Sequence, residues 1–338
     1  MSAPLMPVLF RPPVCLSPTP DLLPRLRLLR LSVTDLCNFR CRYCMPAEGV
    51  LKTSHSELLS LEELASLAAW LSQHTGIDKV RLTGGEPLIR PGIEHLIANL
   101  ATTSGTREVA LTTNGSLLPQ MAGRLKAAGL ARVNISLDSL DEERFTKVTR
   151  GGSLKRTLAG IEAAQKAGLA PIKLNTVLLR SSWRQEVPRL LDYAASTGFE
   201  VRFIELMRTG TEQAWCESEF ISVDEVCSNL GTELSISSAG EQSWAPSRRT
   251  EVNWRGTHLT VGWITPRSHP FCKRCERLRM DARGRIRRCL MDPETLDLAR
   301  LLRRTDSSEA QEEFNFYIRG KVSPRAMDSP FAMNQVGG

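Results

Sequence analysis

Three cysteines stand within eight residues of one another near the start of the chain: Cys37, Cys41 and Cys44. Three thiolates at this C-x3-C-x2-C spacing can hold a metal centre. A structural zinc ion usually takes four ligands and closes its shell. A 4Fe–4S cluster held by only three cysteines instead leaves one iron open to an external ligand. The spacing therefore favours a cluster with an open iron over zinc.

A second group of three cysteines, with C-x2-C-x13-C spacing, comprises Cys272, Cys275 and Cys289. Two interpretations are open for this group. One is a second cluster, whose open iron would meet a nitrogen or oxygen atom of a substrate. The other is a zinc site with a fourth ligand from elsewhere in the chain. The candidates for that fourth ligand are His258, His269 and Cys227.

The second cysteine group lies in the most basic part of a chain with a net charge of +7. Between Cys272 and Cys289, eight basic residues oppose two acidic ones, which gives +6 (8 − 2) in 18 residues. Such a run is typical of a nucleic-acid patch or a solvated face. However, Arg277 and Arg279 are two residues apart and therefore lie on the same face of a predicted strand. Their forked guanidinium groups suit polyphosphates. An anionic substrate at an open cluster accounts for both features.

Composition excludes several classes of protein. Of the 338 residues, 41% are hydrophobic and 24% are charged, which is typical of a globular protein. No run approaches the ~18 apolar residues of a membrane helix. Prolines interrupt residues 1–24, so we predict a flexible leader there instead of a signal peptide, and a cytoplasmic protein. The isolated cysteines are interpreted as incidental or small core residues: Cys15, Cys216 and Cys227.

Strand-like and helical patterns alternate over residues 25–208. The strand-like runs are 26–33, 79–83, 109–112, 132–137, 172–178 and 201–207. The helical patterns begin at Ser60, where Glu63 completes a capping box, and recur at 93–102, 117–128, 154–167 and 183–196. This alternation predicts an α/β fold with a parallel sheet. Six units are too few for a closed TIM barrel, so we expect a partial (βα)6 barrel with functional loops at the strands' C-terminal ends.

The alternation stops after residue 208. A short helix near 223–230 precedes strand-like pieces at 250–254, 258–264 and 285–289, and helical patterns follow near 294–304 and 308–318. We therefore predict a smaller α+β C-terminal domain over 209–325, which carries the second cysteine group. A tail over 326–338 completes the chain.

The first cysteine loop resembles that of the radical S-adenosylmethionine (SAM) superfamily. Tyr43 fills the aromatic position beside the last cysteine, and Thr83-Gly84-Gly85-Glu86-Pro87 follows the second strand, where the superfamily places its SAM-amino-group motif. Glycines there let the backbone approach a ligand closely. The resemblance implies that the open iron chelates SAM. An electron from the cluster would then release methionine and a 5′-deoxyadenosyl radical, while the protein positions both.

Further motifs, from about residue 25 to the end, resemble the GTP 3′,8-cyclase family. They are Leu-Arg-Leu-Ser-Val-Thr-Asp before Cys37, Cys-Met-Pro at 44–46, Arg-Leu-Thr-Gly-Gly-Glu-Pro at 81–87, Leu-Thr-Thr-Asn-Gly at 111–115, Ser-Leu-Asp at 136–138, Arg-Phe-Ile-Glu-Leu-Met at 202–207, Arg-Leu-Arg at 277–279 and a final Gly-Gly. The resemblance implies conversion of GTP to 3′,8-cyclo-7,8-dihydro-GTP, the first step of molybdenum cofactor biosynthesis. The radical would take the 3′ hydrogen of GTP, and the resulting carbon radical would attack C8 of guanine.

The same resemblance implies a role for individual residues. The SAM cluster would be held by Cys37, Cys41 and Cys44, and SAM would be bound by Tyr43, Gly85, Ser136 and Met207. GTP would be bound by Arg30, Arg81, Thr112, Lys173, Arg277, Leu278 and Arg279. The second cluster, which would bind the guanine, would be held by Cys272, Cys275 and Cys289. The terminal residues with a catalytic role, which would thread into the barrel mouth, are Gly337 and Gly338.

The implied partners are GTP, a flavodoxin- or ferredoxin-type electron donor, the cyclic pyranopterin monophosphate synthase downstream and a second copy in a homodimer, without nucleic acid or membrane. Two positions depart from the family pattern. Leu36 replaces the usual Arg, and Glu276 replaces the usual Asn and would put a negative charge beside the phosphate-binding arginines.

Two alternatives to this activity stay open at this point. One is another radical SAM enzyme with an auxiliary cluster, modifying a peptide, although three C-terminal cysteines instead of seven argue against it. The other is a zinc-stabilised RNA-binding protein, which only the basic charge favours.

Overall fold

A computed structural model of the protein describes residues 23–50, 57–209, 212–239, 245–322, 328–329 and 333. Its centre is a run of six parallel strands that pair in chain order. These strands are β1 (Leu28–Ser32), β2 (Lys79–Thr83), β3 (Glu108–Thr113), β4 (Arg132–Ser136), β5 (Lys173–Leu178) and β6 (Glu200–Glu205). Side chains from all six strands border one cavity, an arrangement compatible with the expected partial barrel. The predicted α/β fold with a parallel sheet is confirmed.

Helices cover the outside of these strands. They are α1 (Leu61–Thr75), α2 (Ile93–Thr102), α3 (Leu118–Ala127), α4 (Glu142–Thr149), α5 (Leu154–Lys166) and α6 (Trp183–Thr197). The predicted capping box begins α1: Glu63 N donates to Ser60 Oγ at 3.1 Å, and Ser60 N donates to Glu63 Oε2 at 2.9 Å. A cap of this kind contributes about 1 kcal/mol. Helix α4, capped by Asp141, was not among the predicted helices.

The C-terminal part adds strands to both sides of the same sheet. Its elements are β7 (Arg208–Thr209), α7 (Gln213–Glu219), α8 (Val223–Leu230), β8 (Leu234–Ala239), β9 (Arg248–Trp254), β10 (Thr257–Ile264), β11 (Arg277–Met280), β12 (Arg285–Arg287), β13 (Leu296–Asp297), α9 (Leu298–Arg304), α10 (Ser307–Arg319) and β14 (Asp328–Ser329). Strand β10 runs parallel to β6, and β11 runs parallel to β1. The sheet order is therefore β13-β12-β11-β1-β2-β3-β4-β5-β6-β10-β9-β8, and β14 pairs separately with β7.

Alternation along each strand separates the core from the barrel interior. Leu29 and Leu31 of β1 are fully buried against the helices, whereas Arg30 between them borders the cavity. A fully buried leucine side chain contributes about 1.5–3 kcal/mol to the stability of the fold. The apolar side chains therefore determine which face of each strand packs against the helices. In the part of the chain that the structure describes, no helix is both long and apolar enough to cross a membrane.

Candidate active site

Both cysteine groups border a single cavity at the C-terminal ends of the barrel strands. The structure thus brings together cysteines that are at least 228 positions apart in the sequence (272 − 44). The predicted SAM residues Tyr43, Gly85, Ser136 and Met207 border the same cavity. So do the predicted GTP residues Arg30, Arg81, Thr112, Arg277 and Arg279. Gly337 and Gly338 lie outside the described residues.

Backbone hydrogen bonds hold the first cysteine loop against neighbouring loops. The N–H groups of Arg40 and Arg42 donate to the carbonyl oxygens of Thr149 and Val148 at 2.9 and 3.0 Å, at the end of α4. Within the loop, Cys44 N donates to Cys41 O at 2.9 Å. Helix α4 therefore supports the loop that carries the three thiols.

Gly85 lets the first cysteine loop approach the loop after β2. Its N–H donates to Thr34 O at 2.8 Å, and the next N–H, of Glu86, donates to Leu36 O at 2.8 Å. A side-chain carbon on Gly85 would overlap the carbonyl oxygen of Leu36. The contact uses the backbone of Leu36, so it does not depend on the side chain found at that position.

We expect Gly85→Ala to disturb the first cysteine loop because a methyl group would push against the Leu36 backbone, which cannot rotate away. Iron bound through the first group should fall, while the fold and the second group are kept. Iron analysis in a Cys272→Ser, Cys275→Ser, Cys289→Ser background measures this directly. Gly123→Ala is the matched control, since a methyl group there would meet nothing within 4 Å. Equal iron in the two variants would contradict the expectation.

Tyr43 is anchored across the barrel mouth by Asp138. The Tyr43 hydroxyl donates to Asp138 Oδ2 at 2.6 Å, and Val177 N donates to Asp138 Oδ1 at 2.9 Å. Burial raises the pKa of Asp138 to about 6, although the hydrogen bond from Tyr43 opposes the rise. These bonds fix the aromatic ring beside Cys44.

The second cysteine group lies in a positively charged environment. Arg277 Nε donates to Cys275 Sγ at 3.4 Å, and Lys321 Nζ lies 3.6 Å from the same sulfur. Burial would raise the pKa of the Cys275 thiol, but the charges of Arg277 and Lys321 outweigh it and lower the pKa to about 6. Burial instead raises the pKa of Cys37 in the first group to about 11. Cys275 is therefore readier than Cys37 to bind metal as a thiolate.

Four guanidinium groups line up beside the second cysteine group. Strand register places Arg279, Arg30 and Arg81 side by side on β11, β1 and β2, with Arg277 two residues before Arg279. Burial and then the neighbouring arginines lower the pKa of Arg30 well below its usual value. Burial and Arg132 lower that of Arg81 to about 9. A polyanion bound here would relieve this repulsion.

Two predicted GTP residues do not face the cavity. Leu278 is fully buried in the apolar core because it alternates with the inward-facing Arg277 and Arg279. Lys173 Nζ pairs with Glu200 Oε2 at 2.9 Å, and Lys173 is not among the residues that border the cavity. Burial and Arg202 lower the pKa of Lys173 to about 8.

Several buried polar atoms of the cavity wall have no hydrogen-bond partner among the described residues. Arg81 Nε, Thr83 Oγ1, Thr112 Oγ1 and Asn175 Oδ1 are buried without a hydrogen-bond partner among the described residues. All four residues border the cavity. An unsatisfied buried polar group costs about 1–3 kcal/mol, so a polar ligand that satisfies these atoms is favoured. The wall therefore fits a nucleotide or SAM better than an apolar molecule.

Glu276, which departs from the family pattern, does not border this cavity. Its carboxylate lies 3.8 Å from the Nε atoms of both Arg25 and Arg27, and its carbonyl accepts from Arg27 N at 2.9 Å. It therefore does not add negative charge beside the arginines on the cavity side.

Much of the basic run is turned inward. Arg279, Arg287 and Arg288 are only 8%, 7% and 6% exposed, and Arg288 pairs with the buried Asp292 at 2.7 Å. Three of the eight basic residues that suggested a nucleic-acid patch are thus buried inside the fold.

The residues proposed for a zinc site have other surroundings. His269 Nε2 lies 2.7 Å from Asp224 Oδ2, Cys227 is buried on α8, and His258 is exposed near the β9–β10 turn. Across the described ranges, no three His, Cys, Asp or Glu side chains converge closely enough to hold a single metal ion.

Sequence reasoning missed several residues that border the cavity. Glu86, Asn114 and Arg202 stand within motifs that were noted without a role for them, whereas Lys321 and Met333 had no signal in the sequence. Glu86 is almost fully buried and accepts from Thr113 Oγ1 at 2.7 Å and Asn114 N at 2.8 Å, and burial raises its pKa to about 7.

Two family models match this chain, and both agree with the site. Residues 31–194 match the Radical SAM superfamily, and residues 199–326 match Molybdenum Cofactor Synthesis C. Fold, cysteine loop and cavity thus define a protein of the radical SAM class. Relatives that share most of the chain narrow this further, and the chain belongs to the GTP 3′,8-cyclase family. The predicted resemblance is confirmed.

Three such relatives carry that name. The protein of Peptoclostridium acidaminophilum is 46% identical over 282 residues, which are 83% of this chain and 85% of that one. GTP 3′,8-cyclase 1 of Pseudomonas aeruginosa is 45% identical over 82% of this chain and 83% of its own. The Geobacter sulfurreducens protein is 40% identical over 93% of this chain and 97% of its own.

Solved structures share the fold at low identity. Streptococcus suis SuiB bound to precursor peptide SuiA has a TM-score of 0.64 at 13% identity, over 94% of this chain and 70% of that one. SuiB bound to S-adenosylmethionine has a TM-score of 0.60, over 82% and 64%. Membership of the GTP 3′,8-cyclase family brings SAM and two 4Fe–4S clusters as cofactors, and the two three-cysteine groups fit them.

Proposed function

We propose that this chain converts GTP to 3′,8-cyclo-7,8-dihydro-GTP, the first step of molybdenum cofactor biosynthesis. One observation carries the proposal: two three-cysteine groups and a row of arginines border the same cavity. This arrangement supports a nucleotide bound between the groups. It agrees with the name shared by the relatives.

The residues divide the work of this reaction along the cavity. When bound, the cluster on Cys37, Cys41 and Cys44 supplies the electron that cleaves SAM. Tyr43, Gly85, Ser136 and Met207 border the cavity beside that group and are proposed to hold SAM. Arg277, Arg279, Arg30 and Arg81 neutralise the triphosphate, and forked guanidinium groups orient it. The second group would hold the second cluster, to which the guanine is proposed to bind.

The buried position of the site protects a radical. Water and solvent-exposed side chains would quench it, so the cavity must close around its ligands. The cavity wall buries atoms of Arg81, Thr83 and Thr112 that have no hydrogen-bond partner among the described residues, and a bound ligand would satisfy them. Substrate binding and exclusion of water therefore depend on the same residues.

Anaerobic incubation with SAM, GTP and a chemical reductant, followed by mass analysis, tests the proposal. We expect one deoxyadenosine for each cyclised nucleotide. Formation of no deoxyadenosine, or of deoxyadenosine without cyclised nucleotide, would refute it. Iron and sulfide analysis should give about eight irons per chain, whereas about one zinc without sulfide would support the RNA-binding alternative.

Further features belong to the same proposal. The electron donor is proposed to be a flavodoxin or ferredoxin, and the product is proposed to pass to the cyclic pyranopterin monophosphate synthase in the cytoplasm. A homodimer is the proposed assembly. The division into a leader at 1–24, a barrel at 25–208, a C-terminal domain at 209–325 and a tail at 326–338 is part of the proposal too.

The tail is proposed to place Gly337 and Gly338 at the radical site. In support, Asp328 and Ser329 pair with β7, and Met333 N donates to Cys44 O at 3.0 Å. Met333 also packs beside Leu290 and Met291, near Cys289. Met333, five residues from the end, thus lies between a cysteine of the first group and one of the second.

Deletion of Gly337 and Gly338 is expected to keep cluster content and GTP binding but to lower cyclisation several-fold, since glycine backbone can enter a narrow channel that other residues cannot. Product per deoxyadenosine measures this effect. The control variant is Ser2→Ala in the leader, which is far along the chain from the tail. Full turnover by the truncated protein would show that the tail has no role.

A further inference from the structure

Glu205, the last residue of β6, is a buried carboxylate with four hydrogen-bond donors. It has 0% exposure. Oε1 accepts from Val223 N at 3.1 Å and from the Ser268 hydroxyl. Oε2 accepts from Arg267 N at 3.1 Å and from Ser268 N at 2.9 Å. One side chain therefore ties together the end of β6, the start of α8 and the segment 265–271.

The segment 265–271 leads directly into the second cysteine group. It connects β10 to Cys272, and both Pro266 and Phe271 border the cavity. The ring of Phe271 lies 5.1 Å from the guanidinium carbon of Arg277. A shift of this segment would therefore move a wall of the cavity together with the first ligand of the second group.

The outer side of the same segment is held more loosely. Arg267 pairs with Glu217 at 2.9 Å and lies over the ring of Phe220 at 3.8 Å. The Glu217 side chain is 44% exposed, so this ion pair contributes little. The buried contact with Glu205 is the stronger constraint because it replaces water with four fixed donors.

Glu205 also stands two residues before Met207, a proposed SAM residue that borders the cavity. Glu205 ends β6, and Met207 follows the same strand directly. Glu205 therefore connects the end of this strand to the segment 265–271. We propose that Glu205 is a positioning residue that fixes the second cysteine group relative to the SAM side of the cavity. This inference rests on the proposed function for its catalytic consequence, but not for its structural one.

Glutamine is the sharpest substitution at this position. It keeps the shape of the side chain but replaces one acceptor oxygen with an NH2 group. Donors face both oxygens of Glu205, so in either orientation the NH2 group would face N–H or O–H donors. Ser268→Ala is the milder second variant, because it removes only the hydroxyl donor.

Amide hydrogen exchange on the anaerobically reconstituted full chain tests the structural part. We expect Glu205→Gln to speed exchange at Arg267 and Ser268 about 10-fold or more, with β1–β5 unchanged. Glu217→Gln is the matched control, because it removes the outer ion pairs of Glu217 with Arg267 and Arg208 and leaves Glu205 intact. Exchange as slow as in the control would overturn the proposal. If Glu205→Gln does not fold, Ser268→Ala decides in the same way.

Product analysis tests the consequence for the reaction. We expect Glu205→Gln to cleave SAM but to raise deoxyadenosine per cyclised product about 10- to 100-fold, since small misplacement of reactants is costly. Unchanged coupling would overturn the positioning role even if exchange were faster. Failure of the unsubstituted protein to cyclise GTP would refute the proposed function, and the exchange result would still judge Glu205.

Discussion

Replacing Cys44 or Cys289 by serine, one at a time, should give two different defects. Cys44→Ser is expected to abolish SAM cleavage, because the first loop then has only two thiolates for a cluster that needs three. Cys289→Ser should leave that loop intact, with about four irons still bound, and allow slow SAM cleavage without cyclisation. Deoxyadenosine and cyclised nucleotide, measured in the same anaerobic reaction, separate the two defects.

Cys15→Ser serves as the control for both variants, because Cys15 belongs to neither group. The shared cavity is the reason for the asymmetry. The first group borders it beside Tyr43, and the second borders it beside Arg277. Normal cyclisation by Cys289→Ser would mean that the second group is structural and does not receive the substrate.

The second large effect is expected at the row of arginines. Arg277→Ala and Arg279→Ala should each weaken GTP binding about 10- to 150-fold, since a charge-assisted contact to a buried phosphate contributes about 1.5–3 kcal/mol. Both clusters should remain loaded. Calorimetric titration of the reconstituted protein with GTP measures the change in affinity.

Arg283→Ala is the matched control within the same basic run. Arg283 pairs with Glu57 at 3.3 Å near the surface, and it does not border the cavity. A surface pair of this kind contributes about 0–1 kcal/mol, so GTP affinity should hardly change. Equal affinity in all three variants would show that Arg277 and Arg279 do not bind the phosphates.

Local periodicity predicted the barrel well because its strands and helices are contiguous segments. The pattern at 79–83 became β2, and those at 93–102 and 223–230 became α2 and α8. Helix α4 was missed since only Phe145 and Thr149 of its eight residues are buried, which leaves a weak apolar pattern. Its acidic first turn and Asp141 cap were the available signal.

Long-range pairing is where prediction from the sequence ended. Nothing in the local pattern of 277–280 shows that Arg279 would pair with Arg30. Likewise, alternation predicts that Leu278 and its neighbours face opposite ways, but not which side is the core. Lys173 resembles a ligand residue in the sequence, whereas its partner Glu200 becomes visible only when β5 and β6 are side by side.

The attachment of β10 to β6 and of β11 to β1 has a consequence for how the chain folds. Residues 25–208 alone would leave β1 and β6 as open edges, with rows of unpaired backbone groups that invite aggregation. During synthesis, β1 must wait about 250 residues for β11, and such distant pairing slows folding. We therefore expect the barrel to be obtained in soluble form only together with its C-terminal strands, and the growing chain to depend on chaperones until β11 has emerged.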